Sequence, residues 1–429
     1  MQLESYLKRG IGPLFMLLFL LQVPTAQAEE WKLKAKTGLS YDFISHDYYL
    51  RTIDTLGITP DSLLELKSYT DQIDERGGWL RLELERPGPL KLAVASRFYL
   101  TNEKFRSVVD LEANWQSLRL LSSTELKSYG NSDDFTLYQR QFRSSSRLGL
   151  ALLNNSRRYV EVSQEMEYTG YGEADPDISG YHQSESRLRF RQQLGSFSDL
   201  ELSLRLDLRD YQDTSEADFN RWAGDLSWPH IASQGYYSSA LYVERRNYDA
   251  VDSGDDYTYL SPEVTIDRTL AGLINLAPEV RLHYYSYDQE DFATFSNLRF
   301  EGKVLFKYQY RLLSAVEFGL GTEQFAAGDS LYADQDYSSW QLLAGFETFS
   351  RKWLTLTADA QYGYRNYHVE SDGYYTDYNF LRLDLLADIA FSEAIRLSLI
   401  AGTDWEYHAD KEDNVFLSLL SATLTFRIR

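Results

Sequence analysis

Acidic and basic side chains recur at every second position along several stretches of this 429-residue chain. Arg187, Arg189 and Arg191 form one run, and Glu165 and Glu167 belong to another. Residues two apart lie on the same face of a β-strand, so each run predicts a charged stripe. A stripe of arginines either attracts anions, as charged pore linings do, or pairs with carboxylates on the neighbouring strand. We favour the second hypothesis, a ladder of salt bridges, because an unpaired charge on a partly enclosed wall is costly.

Residues that commonly perform catalysis show no comparable pattern. The six histidines are scattered, and the sequence contains no HExxH, P-loop or GxSxG motif. The absence of cysteine excludes disulfides, cysteine-ligated zinc and a thiol nucleophile. His283, with Ser286 and Asp288 close by, is the one combination to inspect. We predict that the protein is not an enzyme and uses no cofactor or metal ion.

The charged stripes require β-strands to position them, and the hydrophobic pattern predicts such strands. Between Leu200 and Arg209, five leucines alternate with five polar residues, which is typical of a strand with one apolar face. Similar alternation covers residues 188–194, 298–306, 381–391, 395–407 and 416–428. Beyond the first thirty residues, no stretch approaches the roughly 18 apolar residues that a helical membrane span needs. The sequence therefore predicts an all-β protein.

The connections between these stretches are of two kinds, which alternate along the chain. One set is short, and the other is longer and acidic. Outer-membrane β-barrels have this asymmetry, with short periplasmic turns and long outer loops, whereas a β-sandwich has no reason to keep it throughout. The short connections are residues 86–89, 154–156, 195–198, 271–272, 350–352 and 392–393. The long connections are residues 172–180, 213–220, 250–256, 289–294, 326–336, 370–376 and 410–414.

Many of the 33 tyrosines stand where strands meet the long connections. A phenol ring has an apolar body and a polar tip, so this placement predicts a girdle at the membrane boundary. The alternative is that tyrosine is simply a good strand former. The tyrosines concerned are Tyr168, Tyr171, Tyr181, Tyr211, Tyr248, Tyr257, Tyr259, Tyr285, Tyr287, Tyr364, Tyr367, Tyr375 and Tyr378.

The number of segments between connections predicts about 20 strands, with 18 as the alternative because such barrels have an even number. We expect residues 29–429 to form a single antiparallel, up-and-down transmembrane β-barrel. One segment departs from the period of two, within the longest connection, residues 46–77. There Thr59 is suited to an N-cap and Pro60 to the first helical position, which is compatible with a short helix from Thr59 to Leu66, although we favour an ordered surface loop.

Residues 1–28 have the pattern of a cleaved signal peptide. A basic start at residues 8–9 precedes an apolar run over residues 11–23 and a small-x-small cleavage site at residues 26–28. We expect the mature chain to begin at Glu29. The strand pattern then begins almost at once, so we expect no N-terminal plug domain.

If the apolar set of each strand faces lipid, the other set faces the lumen, and that set carries charges of both signs. Neighbouring strands carry complementary charge, so we expect much of the wall to neutralise itself. The expected pairs are Arg143 with Glu167, Glu165 with Arg187, Glu161 with Arg191, Lys307 with Glu317 and Arg382 with Asp404. The pore-lining candidates are Arg143, Arg147, Glu161, Glu165, Arg187, Arg189, Arg191, Glu201, Arg205, Asp207, Arg209, Lys303, Lys307, Glu317, Arg382 and Asp404.

With these features, the mature chain resembles bacterial outer-membrane β-barrel proteins of the porin-like class over its whole length. The resemblance is architectural and implies the outer membrane of a Gram-negative bacterium, with membrane lipid, lipopolysaccharide and the barrel assembly machinery as partners. It implies no nucleic-acid partner. Many members of this class end on an aromatic residue. Here the last strand carries Leu424, Phe426 and Ile428 and is followed by Arg429, so the usual assembly signal is incomplete.

Three functions are compatible with this class. The first is a channel for small hydrophilic solutes. The second is an export or assembly pore for a polysaccharide or a surface component, working with periplasmic partners. The third is a closed structural or surface-binding barrel. Aromatic faces pack against sugar rings, so the tyrosines could serve as a sugar-stacking track in either pore.

Overall fold

The computed structural model describes a single antiparallel sheet that closes on itself. Within the residues it describes, the sheet has 20 strands, which confirms the predicted number. The one other element described is a short 3-10 helix, Ser330–Gln335. No helix in this part of the chain is long and apolar enough to cross a membrane. The described residues are 31–53, 64–88, 90–101, 104–129, 140–155, 157–172, 180–212, 218–248, 256–289, 295–311, 313–351, 353–369, 376–409 and 413–428.

The strands follow one another along the chain with few residues between them. The first ten are β1 Lys32–Ile53, β2 Leu64–Arg86, β3 Leu90–Thr101, β4 Lys104–Trp115, β5 Leu118–Tyr129, β6 Arg140–Asn154, β7 Arg158–Gly172, β8 Tyr181–Gly195, β9 Ser198–Tyr211 and β10 Phe219–Ala232. The second ten are β11 Gly235–Tyr248, β12 Tyr257–Ala271, β13 Ile274–Tyr287, β14 Asn297–Arg311, β15 Ser314–Ala327, β16 Tyr337–Arg351, β17 Leu354–Tyr367, β18 Tyr378–Ala390, β19 Ile395–His408 and β20 Val415–Ile428.

Each strand pairs with its neighbours in the chain, and the first strand pairs with the last. The β1–β20 ladder runs from Ala35 opposite Ile428 to Asp47 opposite Phe416. This pairing closes the sheet into a barrel, so the strands of the wall hydrogen-bond to a neighbour on both sides. The predicted up-and-down β-barrel is therefore confirmed.

The two ends of the barrel differ in the length of their connections. At one end β4 and β5 are joined by residues 116–117 and β8 and β9 by residues 196–197. At the other end, residues 328–336 join β15 and β16 and contain the 3-10 helix. The expected asymmetry has one exception, because β3 and β4 are joined at the long-loop end by residues 102–103 alone.

The outer face of the barrel is apolar. On β15, Phe318 and Leu320 are 62% and 63% exposed, and on β14 Val304 and Phe306 are exposed in the same way. Such exposure is unfavourable in water, whereas transfer of each large apolar side chain into hydrocarbon contributes about 1.5–3 kcal/mol. This face is therefore built to lie against lipid.

The first hairpin extends past its neighbours in the wall. β2 pairs with β3 only from Gly77 onward, whereas it pairs with β1 along its whole length from Leu64. The surface loop favoured for Thr59 to Leu66, and the helix considered beside it, are therefore both wrong for the last three residues, which lie in β2 opposite residues 51–53. Pairing along the hairpin outweighs the local capping signal there. Residues 59–63 lie outside the described part of the chain.

Candidate functional site: the inner wall

Alternation along each strand separates the charged side chains from the lipid-facing ones. On β14, Arg299, Glu301, Lys303 and Lys307 line one cavity of about 660 Å³. Residues of eight consecutive strands, from Tyr236 on β11 to Arg382 on β18, contribute to this cavity. Its lining is the concave inner face of the barrel, and it includes the predicted candidates Lys303, Lys307, Glu317 and Arg382.

On part of this inner face, the basic side chains form ion pairs with acidic ones. We call this part the paired wall; it comprises Glu279, Lys303, Lys307 and Glu317. Lys307 lies directly opposite Glu317, and their charged atoms are 2.5 Å apart. Lys303 pairs with Glu279 at 3.0 Å. The predicted partnership of Lys307 with Glu317 is confirmed, and each cation of this wall has a carboxylate from a neighbouring strand.

The same agreement holds for Arg382 and Asp404, which lie opposite each other on β18 and β19. The Arg382 Nε and Asp404 Oδ2 atoms are 2.8 Å apart. This predicted pair is confirmed.

The registers predicted between β6, β7 and β8 are wrong by two residues. Arg143 lies opposite Thr169 rather than Glu167, although its long side chain still reaches Glu167 at 2.6 Å. Glu165 lies opposite Glu185, so its predicted pairing with Arg187 is not made. The β6–β7 ladder contains a β-bulge between Ala151 and Leu153, and in both ladders a slip of two residues keeps the faces while changing the residues that lie directly opposite each other.

Arg187, Arg189 and Arg191, which we call the arginine stripe, are therefore incompletely neutralised. Arg187 pairs within its own strand with Glu185, at 2.5 Å. Glu161 lies opposite Arg189 rather than Arg191. Neither Arg189 nor Arg191 forms an ion pair with a carboxylate of the described residues, and both are exposed. The favoured ladder of salt bridges is wrong for these two arginines.

The arginine stripe borders its own cavity, of about 610 Å³. Glu201, Arg205 and Asp225 lie along it, and Arg205 pairs with Asp225 at 3.1 Å. Among the other candidates, Arg147 and Glu161 are 3.8 Å apart.

The predicted pore-lining residues Asp207 and Arg209 are held against neighbouring side chains of the barrel wall. The side chain of Asp207 is fully buried, and its Oδ2 atom is 2.5 Å from Arg221 of β10. Arg221 also lies 3.7 Å from Glu244. Arg209 lies over the rings of Tyr181 and Phe219, at 4.5 and 5.0 Å. Arg221 was not among the residues predicted from the sequence, because β10 carries Gly, Pro and aromatic residues that blur its alternation. Glu244, on β11, was not predicted either.

The long-loop end of the inner face carries a cluster of aromatic side chains. They line a cavity of about 490 Å³, which we call the mouth cleft. The tyrosine girdle predicted at the lipid boundary is therefore wrong for the tyrosines of this cavity, because they lie on the inner face. The alternation of each strand could have revealed this. Each of these tyrosines is an even number of residues from a charged residue of its own strand, so the two side chains lie on the same face. The mouth cleft comprises Tyr259, His283, Tyr285, Asn297, Arg299, Phe325, Gln335, Tyr337 and Tyr367.

His283, Ser286 and Asp288 do not converge. His283 lies in the mouth cleft, where its Nδ1 atom is 2.5 Å from the Tyr259 hydroxyl. Ser286 is three residues from His283 on the same strand, so its side chain lies on the opposite face of β13. Asp288 follows the end of β13, and its two oxygens accept hydrogen bonds from Arg245 at 2.8 and 2.5 Å. These hydrogen bonds hold the pKa of Asp288 below its usual value.

The sequence matches no family model, and comparison with curated proteins gives no match. Among solved structures, the siderophore receptor PirA from Pseudomonas aeruginosa is similar at a TM-score of 0.52 and 11% identity, covering 94% of this chain and 81% of that one. OpdK with vanillate, from the same organism, has a TM-score of 0.46 and 12% identity, with 92% and 98% covered. Pseudomonas aeruginosa OccK5 (OpdH) has a TM-score of 0.46 and 12% identity, with 93% and 99% covered.

At these identities the likeness concerns the fold. A closed antiparallel barrel with an apolar exterior and a charged interior is the form in which β-strands cross a bacterial outer membrane. The chain has the fold of outer-membrane β-barrel proteins.

Proposed function

We propose that the protein is a channel that lets small hydrophilic solutes cross the outer membrane through the barrel lumen. The observation that carries this proposal is the cavity on the concave side of β11 to β18, which is lined by charged and polar side chains. In this proposal the predicted pore-lining residues face the solute path, except Asp207, whose side chain is fully buried. Outer-membrane lipid and lipopolysaccharide contact the apolar outer face, and the barrel assembly machinery inserts the chain.

The chemistry of the inner wall supports a water-filled lumen. Lys303 is 40% exposed and Arg382 is 38% exposed, although both belong to ion pairs. Pairs of this kind contribute only about 0–1 kcal/mol each, so they do not by themselves hold a dry interior together. Charged groups excluded from water would carry a much larger desolvation cost. Water along this wall removes that cost and gives hydrophilic solutes a path.

The test is conductance of the purified mature protein in a planar bilayer, with the reversal potential measured under a salt gradient. We expect a steady open conductance, because a lumen lined by hydrated charges carries ions. Heat-modifiable gel migration provides the control for a folded barrel. A protein that passes this control and inserts but never conducts would contradict the channel, and it would favour the closed barrel or a gated export pore.

A further inference from the structure

The mouth cleft has two aromatic walls. On one side, the rings of Tyr259 and Tyr285 stack with their centroids 4.4 Å apart, and the His283 ring lies nearly parallel to Tyr259. On the other side, Phe325 and Tyr337 stack at 5.5 Å with 8° between their planes. The cleft therefore has a stack of aromatic side chains on each side of one opening.

A polar strip separates the two walls. It belongs to β14, which lies between β13 and β15 and places Asn297 and Arg299 at the base of the cleft. Gln335, at the end of the 3-10 helix, adds a second amide at the rim. The helix is held in place by Tyr332, whose ring stacks on Phe295 at 4.6 Å.

The charges around the cleft balance one another. Arg299 is held by Glu301 at 2.7 Å and by Glu323 at 2.8 Å. Glu323 also lies 3.6 Å from Arg365 and accepts a hydrogen bond from the Tyr337 hydroxyl. Two guanidinium groups thus face two carboxylates, and little net positive charge remains to hold an anion. This favours a neutral ligand.

We propose that the mouth cleft binds a neutral carbohydrate, whose pyranose rings pack between the aromatic walls while its hydroxyls bond to Asn297 and Gln335. Aromatic faces carry partial negative charge and attract the C–H groups of a sugar ring. The cavity of about 490 Å³ is within the size of small-molecule sites, which are mostly apolar with a few polar groups that orient the ligand. The proposal rests on the channel function, because it makes sugars the solutes captured at the outer mouth.

Isothermal titration of the detergent-solubilised full chain with glucose, maltose and maltotriose tests the proposal without requiring an open pore. We expect binding of at least one of these sugars in the millimolar range or tighter. Tyr285→Ala and Phe325→Leu should each weaken it about tenfold, which corresponds to about 1.4 kcal/mol. Phe325→Leu keeps an apolar side chain and serves where Tyr285→Ala does not fold.

The matched control is Tyr211→Ala, which also removes a ring from an aromatic pair, Tyr181 with Tyr211 at 5.7 Å, on a distant part of the barrel. This variant should bind the sugar as the wild type does. Equal weakening in all three variants, or no binding of any of the three sugars, would overturn the proposal. Binding of benzoate with no binding of sugars would overturn it in favour of an aromatic carboxylate.

The same measurements separate this proposal from the channel function. Sugar binding in a barrel that never conducts would leave the site in place and remove the channel. A conducting barrel that binds none of the sugars would leave the channel in place and remove the carbohydrate site.

Discussion

The arginine stripe and the paired wall have similar sequences and opposite electrostatic outcomes. The three arginines share the inner face of β8, and Lys303 and Lys307 share the inner face of β14. On the paired wall, Lys307 faces Glu317 directly and is neutralised. On the arginine stripe, Arg189 lies opposite Glu161 and Arg191 lies opposite Glu201, yet neither arginine forms an ion pair with a carboxylate of the described residues. The comparison teaches that a carboxylate on the opposite strand position does not by itself neutralise an arginine. The two side chains must also meet, and Glu161 lies 3.8 Å from Arg147 instead of pairing with Arg189.

The largest effect should come from the buried pair next to the arginine stripe. Asp207→Ala leaves Arg221 without its nearest carboxylate in a partly enclosed position. We expect the free energy of unfolding to fall by about 3 kcal/mol, because removing one partner of a buried pair leaves the other charge uncompensated. Urea unfolding in lipid vesicles, followed by tryptophan fluorescence, measures this change.

Arg191→Gln provides the contrast, because this arginine is exposed and forms no ion pair with a carboxylate in the part of the chain that the structure describes. Its unfolding free energy should stay within about 0.5 kcal/mol of the wild type, as for most surface substitutions. Equal stabilities for the two variants would show that the buried pair carries no more of the fold than the arginine stripe does.

The second prediction concerns ion selectivity. The double substitution Arg189→Gln with Arg191→Gln removes two positive charges that form no ion pair with the described carboxylates, so the anion-to-cation permeability ratio should fall by about twofold or more. The reversal potential under a salt gradient measures the shift. The control is Lys307→Gln with Glu317→Gln, which removes a neutral pair and should leave the reversal potential unchanged. A larger shift in the control would reverse the assignment of the two walls.

The smallest effect should come from an exposed pair at the end of β13. Hydrogen bonds from Arg245 lower the pKa of Asp288, so the carboxylate stabilises the fold above its usual pKa of about 3.9. This contribution is lost as the pH falls through the lowered pKa. Because Asp288 is half exposed, we expect only about 0.5 kcal/mol. Hydrogen exchange at the end of β13 should be faster in Asp288→Asn than in the wild type at pH 7, with equal local opening near pH 2.

Much of the fold was predictable, because alternation is a local property of each strand. The alternation from Leu200 to Arg209 identifies β9 without knowledge of any other strand. The registers of Lys307 and Arg382 were predictable because little of the chain separates their strands from the next. Across residues 173–180 the register depends on the loop conformation, and there the pairing of Glu165 with Arg187 failed.

The mouth cleft was not predictable in the same way. Its walls come from strands β12 to β17, so they meet only once those six strands are in register. Tyr285 by itself is equally compatible with a lipid boundary and with an inner face. The spacing to Arg281 distinguishes the two. Tyr285 is four residues from Arg281, so both side chains lie on the same face of β13, and Arg281 pairs with Glu263 on the inner face.

The ladder between β1 and β20 has a consequence for how the molecule is made. Its partners, such as Ala35 and Ile428, are separated by nearly the whole chain, so this ladder is the least local contact in the fold. Until β20 is present, β1 and β19 each expose a row of unpaired backbone groups, which hydrocarbon cannot satisfy and another chain could capture. Such long-range pairing is intrinsically slow. A nascent chain of this protein therefore forms no stable partial barrel. It must be kept from aggregating until β20 has been synthesised and can pair with β1 and β19.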